Sequence, residues 1–307
     1  MTPPFPKVSI VDIPGKGQGV IALEDIPRGT LIVAETPRFT FPPNPTLMTP
    51  ENLKFFMSFP GAVGEDPLDG RYKHFVPLVG NSDYRSGLFT TICKLNHVCP
   101  SPDDGPNATY FWDERSKREL LHALRDIHRN QEICVAYFQQ DSRGTQDPAA
   151  YLRKKFGFDC SCRGCTRPVA ERQRSAERIA AYTKFVDDLP KHYGLRNAFG
   201  ILKDIEKQLL IICNEGHVGE ISSRAYDAFQ LCAMHGDADS ARKWEELVRD
   251  ESKLYCGGQS PEVEKAVGLV MNPSSFRQWG VLKKTKLFGP VCVYMACRVS
   301  FLSEHLC

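Results

Sequence analysis

Three cysteines stand close together in the stretch FDCSCRGC: Cys160, Cys162 and Cys165. Their thiolates can wrap one side of a metal ion, but a structural zinc takes four ligands in a closed tetrahedron, so one must come from elsewhere in the chain. Three further segments carry residue types that chemistry can use. GKGQGV at 15–20 is glycine-rich, and a backbone without Cβ atoms can approach a bound molecule closely. It does not read as a dinucleotide fingerprint, because VIALEDIPRG after it reads as a strand and a turn where the fingerprint needs a helix. LNHVCP at 95–100 places Asn96 and His97 just before Cys99, with a turn at Gly105-Pro106-Asn107 beyond. QEICVAYF at 131–138 alternates like a strand and carries Tyr137 near its end. Taken singly, a glycine turn, a surface histidine and a buried tyrosine are ordinary.

The elements that must position these residues change character along the chain. From Lys7 to Phe41, VSIVDI, GKGQGVIAL and IPRGTLIVAETP read as short strands between Gly and Pro breaks. Residues 42–85 read as an insertion of mostly irregular structure, with a short helix at 50–57 capped by Thr49 and opened by Pro50. The insertion holds no cysteine and so no zinc finger. Strand-like pieces return at SGLFTTICKL, NATYFWD, RELLHALRDI and EICVAYF.

After Pro168 helical periodicity takes over, with Leu202, Ile205, Leu209 and Ile212 spaced as a buried face requires. SSRAYDAFQLCAMHGD and ADSARKWEELVRDESKLYCGG read as antiparallel helices joined at Gly236, and SPEVEKAVGLVM as a third helix with Ser260 at its cap. These hairpins resemble tetratricopeptide units without a fixed repeat period. The last twenty or so residues, FGPVCVYMACRVSFLSEHLC, read equally as a buried element or an unordered tail.

A chain of 307 residues has room for two domains. Its 39 Lys+Arg against 37 Asp+Glu give no global field to draw DNA or a membrane surface. The N-terminal sequence lacks a secretory pattern, and the best apolar run, VCVYMAC at 291–297, is stopped by Arg298, so an intracellular protein, nuclear or cytoplasmic, is expected. In such a compartment clustered cysteines read as metal-binding rather than as disulfides.

The order of the motifs carries more than any of them alone. A glycine loop, NHxC with a nearby Pro-Asn, E-I-x-x-x-Y and a Phe-x-C-x-C-x-x-C cluster, in that order, resemble the SET-domain protein lysine methyltransferases, closest to the SMYD-like and fungal branch without its MYND zinc finger. The likeness covers roughly residues 7–166, and more loosely the helices to about 255.

The resemblance implies an α+β fold: a β-rich SET domain over 1–168 with its cysteine cluster at 158–166, followed by a helical region over 169–307. It implies that Cys99 joins Cys160, Cys162 and Cys165 in a zinc site; Cys93 and Cys134, in apolar strand-like contexts, read as core. It implies that S-adenosylmethionine lies among Lys16, Gly17, Gln18, Asn96, His97 and Phe158, with Tyr137 as both cofactor contact and catalytic residue. Tyr110 and Phe138 are candidates for an aromatic channel wall around the substrate lysine.

This sequence departs from the family pattern at Asn130-Gln131-Glu132, where Gly-Glu-Glu is usual, and in PSPDDG, which lengthens the segment between Cys99 and Pro106-Asn107 next to both proposed pockets. The expected function is methyl transfer to lysine in a protein substrate, with a partner possible on the C-terminal helices and no direct nucleic-acid binding. The alternative is an inactive SET-fold interaction module whose cofactor site the added segment has spoiled. A nucleic-acid-binding zinc protein is a weaker rival, because no basic stripe accompanies the cysteines.

Overall fold

A computed structural model describes residues 7–41, 49–59, 76–77, 86–137, 148–192 and 197–291. The chain divides into two compact units: Met1–Val98, Pro106–Val135 and Pro148–Ser161 form one, and Cys99–Gly105, Ala136–Asp147 and Cys162–Cys307 the other.

The first unit is built of small sheets. Strands β1 (Val8–Ile13) and β2 (Gly17–Ala22) form an antiparallel hairpin. Its turn places Pro14 and Gly15 at the two central positions, Gly15 takes φ +74°, and the Lys16 N–H donates to the Ile13 carbonyl at 3.0 Å, the arrangement of a type II turn. Strand β3 (Leu31–Glu35) pairs with β9 (Arg118–Ala123), which pairs with β8 (Ala108–Asp113), all antiparallel. A further small sheet orders β4 (Phe39–Phe41), β6 (Ser86–Leu88) and β5 (Val76–Pro77). Between them α1 (Pro50–Met57) has the expected boundaries: the Thr49 hydroxyl accepts from the Asn52 N–H, and Phe56 packs with Phe59 and Leu88. Helix α2 (Pro148–Phe156), which the sequence reading did not single out, buries Leu152.

Two segments read as strands are mostly something else. In SGLFTTICKL only Ser86–Leu88 is strand, and Ile92–Lys94 forms a 3-10 turn that carries Cys93. The cause is Glu35, whose buried carboxylate accepts from the backbone N–H groups of Thr90 at 2.7 Å and of Thr91 and Ile92 at 3.1 Å, taking those donors out of any ladder. In QEICVAYF the strand shrinks to β10 (Cys134–Val135), which pairs parallel with β7 (Asn96–His97). Phe138 and the tail from 292 onward lie outside the described residues.

The second unit is helical. The short α3 (Arg163–Thr166) leads into α4 (Val169–His192), then α5 (Ala198–Asn214), α6 (Ile221–Met234), α7 (Ala238–Cys256) and α8 (Pro261–Met271). Leu202, Ile205, Leu209 and Ile212 of α5 are all fully buried, in a core shared with Phe229, Leu231 and Trp244. The turn from α6 to α7 passes through Gly236 at φ +66°, and Asp237 then caps α7 by accepting from the Ser240 N–H. The same carboxylate accepts from the Leu287 N–H at 2.7 Å, which ties the segment after α8 back onto this turn. Ser260 caps α8 as expected. No helix among the described residues is long and apolar enough to cross a membrane.

Candidate active site and metal centre

Glu132 is the hub of the first unit's polar centre. Its Oε2 accepts from the Lys16 ammonium at 2.6 Å, and its Oε1 accepts from the Asn96 Nδ2 at 2.8 Å. The Asn96 amide also donates to the Gln18 carbonyl at 3.3 Å. Lys16, Gln18 and Asn96 are thereby drawn together from the β1–β2 turn, β2 and β7. Burial works against the Lys16 ammonium, but the hydrogen bond and charge of Glu132 outweigh it, and its pKa is raised.

The approach is close enough to dictate a glycine. A Cβ on Gly19 would lie 2.5 Å from the Ile13 side chain and 2.7 Å from the Asn96 Nδ2, inside any real contact distance. By contrast a Cβ on Gly17 would meet nothing within 4 Å; what Gly17 supplies is its left-handed φ of +74°. Beside it a second amide ties the start of β10 to the residue before β8: Asn107 Nδ2 donates to the Glu132 carbonyl, and its Oδ1 accepts from the Cys134 N–H, both at 2.8 Å. Asn130, where the family pattern has glycine, adopts φ +66°, a conformation asparagine tolerates better than most residues. That departure therefore preserves the turn.

His97 is 7% exposed, and its ring centroid stands 6.2 Å from that of Phe158 at an interplanar angle of 54°. Tyr137 is half-buried two residues beyond β10, among the residues of the other unit. Tyr110 lies on β8, half-buried.

The thiols of Cys99, Cys160, Cys162 and Cys165 lie within 4.8 Å of one another, and none is in a disulfide. The Cys99 and Cys165 sulfurs are 3.4 Å apart. Four sulfurs at about 2.3 Å from a tetrahedral zinc stand about 3.8 Å from each other, so the donor set and its spacing suit that ion. Cys93 and Cys134 stand outside this group. Burial pushes each of their thiols up to about 12, which keeps them protonated rather than ready to bind metal. Cys93 is half-buried in its 3-10 turn and directed at the Phe89 carbonyl, 2.5 Å away.

Sequence reasoning gave no partners to three residues that organise this region. The double engagement of Glu132 was concealed in QEI, a segment read for its strand, its tyrosine and its departure from the family pattern, with no partner given to the carboxylate. The bridging by Asn107 was signalled by Pro106-Asn107 but given no partner. Glu35, which shapes the approach to Asn96, left no signal at all.

Comparison with known proteins adds a family. The SET domain pattern matches residues 17–138. The histone-lysine N-methyltransferase set5 of Schizosaccharomyces pombe is 27% identical over 278 residues, covering 87% of this chain and 84% of that protein. The protein-lysine N-trimethyltransferase SMYD5 of Danio rerio is 32% identical over 94 residues, 30% of this chain and 21% of its own length. A crystal structure of a Plasmodium falciparum chain aligns at 18% identity over 43% of this chain and 93% of its own, with a TM-score of 0.28, too low to bear on the fold.

Proposed function

Because this chain carries a SET domain, we propose that it transfers methyl groups from S-adenosylmethionine to the side-chain amine of lysine in a protein substrate. The observation that carries this reading is the web of Lys16, Gln18 and Asn96 around Glu132, all but Lys16 within the SET match and Lys16 adjoining it. The similarity to set5 along most of both chains supports it.

When bound, S-adenosylmethionine supplies an electrophilic methyl on a sulfonium, which a neutral amine takes by direct displacement. The residues that would hold it are Lys16, Gly17 and Gln18 through their backbone, Asn96 and His97 through their side chains, and Phe158 through its ring. Asn96 spends its amide hydrogens on Gln18 and Glu132, so its Oδ1 is the acceptor it offers a ligand. Glu132 fixes that orientation before anything binds, and such preorganisation is the main work available to an enzyme whose reaction needs no protein nucleophile. Tyr137 is the residue we assign to the reacting amine, directing the nitrogen lone pair with its hydroxyl. The amine must shed a proton first, and burial close to positive charge lowers a lysine pKa. Cys99, Cys160, Cys162 and Cys165 would hold zinc in a structural role, pinning the cysteine segment and leaving methyl transfer to the other residues. The protein substrate is met inside the cell, in the nucleus or the cytoplasm.

The test is a calorimetric titration of S-adenosylmethionine into zinc-loaded protein, followed by transfer of labelled methyl to a histone mixture and to a cell lysate. Binding and labelling are expected, and a folded, zinc-loaded sample that binds no cofactor would refute the reading. In the same assay Tyr137→Phe should keep cofactor affinity within about twofold while turnover drops roughly a hundredfold, the range of a positioned acid-base or orienting hydroxyl. Equal turnover of the two proteins removes Tyr137 from its role.

A further inference from the structure

The lengthened loop after Cys99 is held by the helical unit to which it belongs. Ser101, two residues beyond the candidate ligand, is 4% exposed, and its backbone is gripped between two glycines. Gly105 donates its N–H to the Ser101 carbonyl at 3.1 Å, and a Cβ on it would lie 2.4 Å from that oxygen. Gly216, in the turn that ends α5, approaches the same backbone. A Cβ there would stand 2.4 Å from both the Ser101 nitrogen and carbonyl carbon, and 2.6 Å from its oxygen.

The same loop is tied to α3, which carries Cys165 and begins next to Cys162. Arg163 donates to Asp104 at 3.0 Å, and Arg167 to the Ser101 hydroxyl at 3.4 Å. The turn is anchored in its turn to α4, the helix that follows the cysteines. Glu215, only 4% exposed, accepts from the Ser175 hydroxyl and from the Arg178 Nε, each at 2.5 Å. A closed path therefore runs from Cys99 through Ser101, Gly216 and Glu215 to α4 and back to the other cysteines.

We propose that Gly216 is a positioning residue for the metal centre, and that the packing of the α5 turn against Ser101 sets the zinc affinity of the Cys99 site. The inference rests on the zinc reading above. The added PSPDDG segment is then the bracket that the helical region needs to hold its metal ligand, and not a lesion. A methyl group at Gly216 must retreat about 1 Å to reach an ordinary contact, whereas zinc–ligand distances tolerate only about 0.2 Å.

The experiment uses the full chain in four forms: wild type, Gly216→Ala, Gly105→Ala and Gly236→Ala. Zinc affinity is read by chelator competition, the geometry of the site by the absorption of the cobalt-substituted protein, and folding by circular dichroism. Gly236 is the matched control, left-handed like Gly216, with φ +66° against +76°, but among the described residues a Cβ on it would meet only the Gly280 Cα at 3.9 Å. Gly216→Ala should weaken zinc at least about tenfold and lower the tetrahedral cobalt bands, with Gly236→Ala within about twofold of wild type, since backbone strain alone is common to both. Gly105→Ala, which presses on Ser101 without left-handed strain, should behave like Gly216→Ala and decides the matter if the latter does not fold. Unchanged affinity in the folded glycine variants, or equal loss in the Gly236 control, overturns the inference alone. A wild-type protein that takes up no zinc overturns it together with the zinc reading.

Discussion

Replacing Glu119 by glutamine should flatten the decline of stability in mild alkali. Glu119 sits on β9 with 0% exposure, and neither carboxylate oxygen has a hydrogen-bond partner among the described residues. Burial pushes its pKa from the ordinary 4.5 up to about 8. The folded chain thus holds a proton that the unfolded chain releases near 4.5, so the native state loses stability as the pH climbs between those values. Each pH unit across which the two forms differ by one proton is worth about 1.4 kcal/mol, and integrating from about pH 6.5 to 8.5 gives a loss of about 2 kcal/mol. That corresponds to roughly 4–8 °C of melting temperature in a unit of this size.

His122, three residues further along β9, is pushed down to about 4 by burial; its contribution falls away only below about 6.5 and leaves this window clear. Glu245 on α7, 1% exposed and pushed up to about 8, adds a fall of the same sign. Glu119→Gln should therefore remove about half of the slope of melting temperature against pH, and the double variant with Glu245→Gln most of it. Melting followed by circular dichroism over that range is the assay. A single variant that loses stability as steeply as the wild type would show that Glu119 is already ionised in the fold.

Other expectations concern the site. Glu132→Ala removes a charged acceptor from Asn96 and the ion pair of Lys16; hydrogen bonds to charged groups are worth about 1.5–3 kcal/mol, so S-adenosylmethionine affinity should drop roughly ten- to a hundredfold, measured by calorimetry, with Glu132→Gln in between. Gly19→Ala should weaken the same binding by displacing the Asn96 amide, and an alanine variant with wild-type affinity would mean the loop yields freely. Cys99→Ser should leave less than a full equivalent of zinc after dialysis; retention of one equivalent would point to a different fourth ligand.

Local chemistry was readable where one segment decides its own fate. Thr49 before Pro50, the spacing from Leu202 to Ile212, Gly236 between two apolar helices and Ser260 before Pro261 each specify an element through neighbours a few residues away, and each holds in the structure. The residues of the glycine loop and the cysteine group were named from the order of motifs; their geometry was not. What stayed hidden depends on distant partners. Nothing around Glu35 announces that its carboxylate will collect three backbone donors some 55 residues further on. Gly216 looks like an ordinary helix-ending glycine until Ser101 is found against it. QEICVAYF reads as a full strand because alternation reports a half-buried surface, whereas pairing with so short a partner as Asn96–His97 limits the ladder to two residues.

The parallel pairing of β7 with β10 also bears on how the molecule comes into being. Asn96 and Gln18 are separated by 78 positions, and Lys16 and Glu132 by 116, so the polar centre contains few near-neighbour contacts that could nucleate early. Closing such long loops carries an entropic cost that only the finished ladder offsets. During synthesis the β1–β2 hairpin can form at once, but its turn must wait for residue 132 to leave the ribosome before Lys16 finds its counter-charge. Refolding experiments should therefore see the hairpin and the helices protected from hydrogen exchange before the amides of Val98 and Ile133, whose acceptors, Val135 and Val20, lie across those late-closing joints.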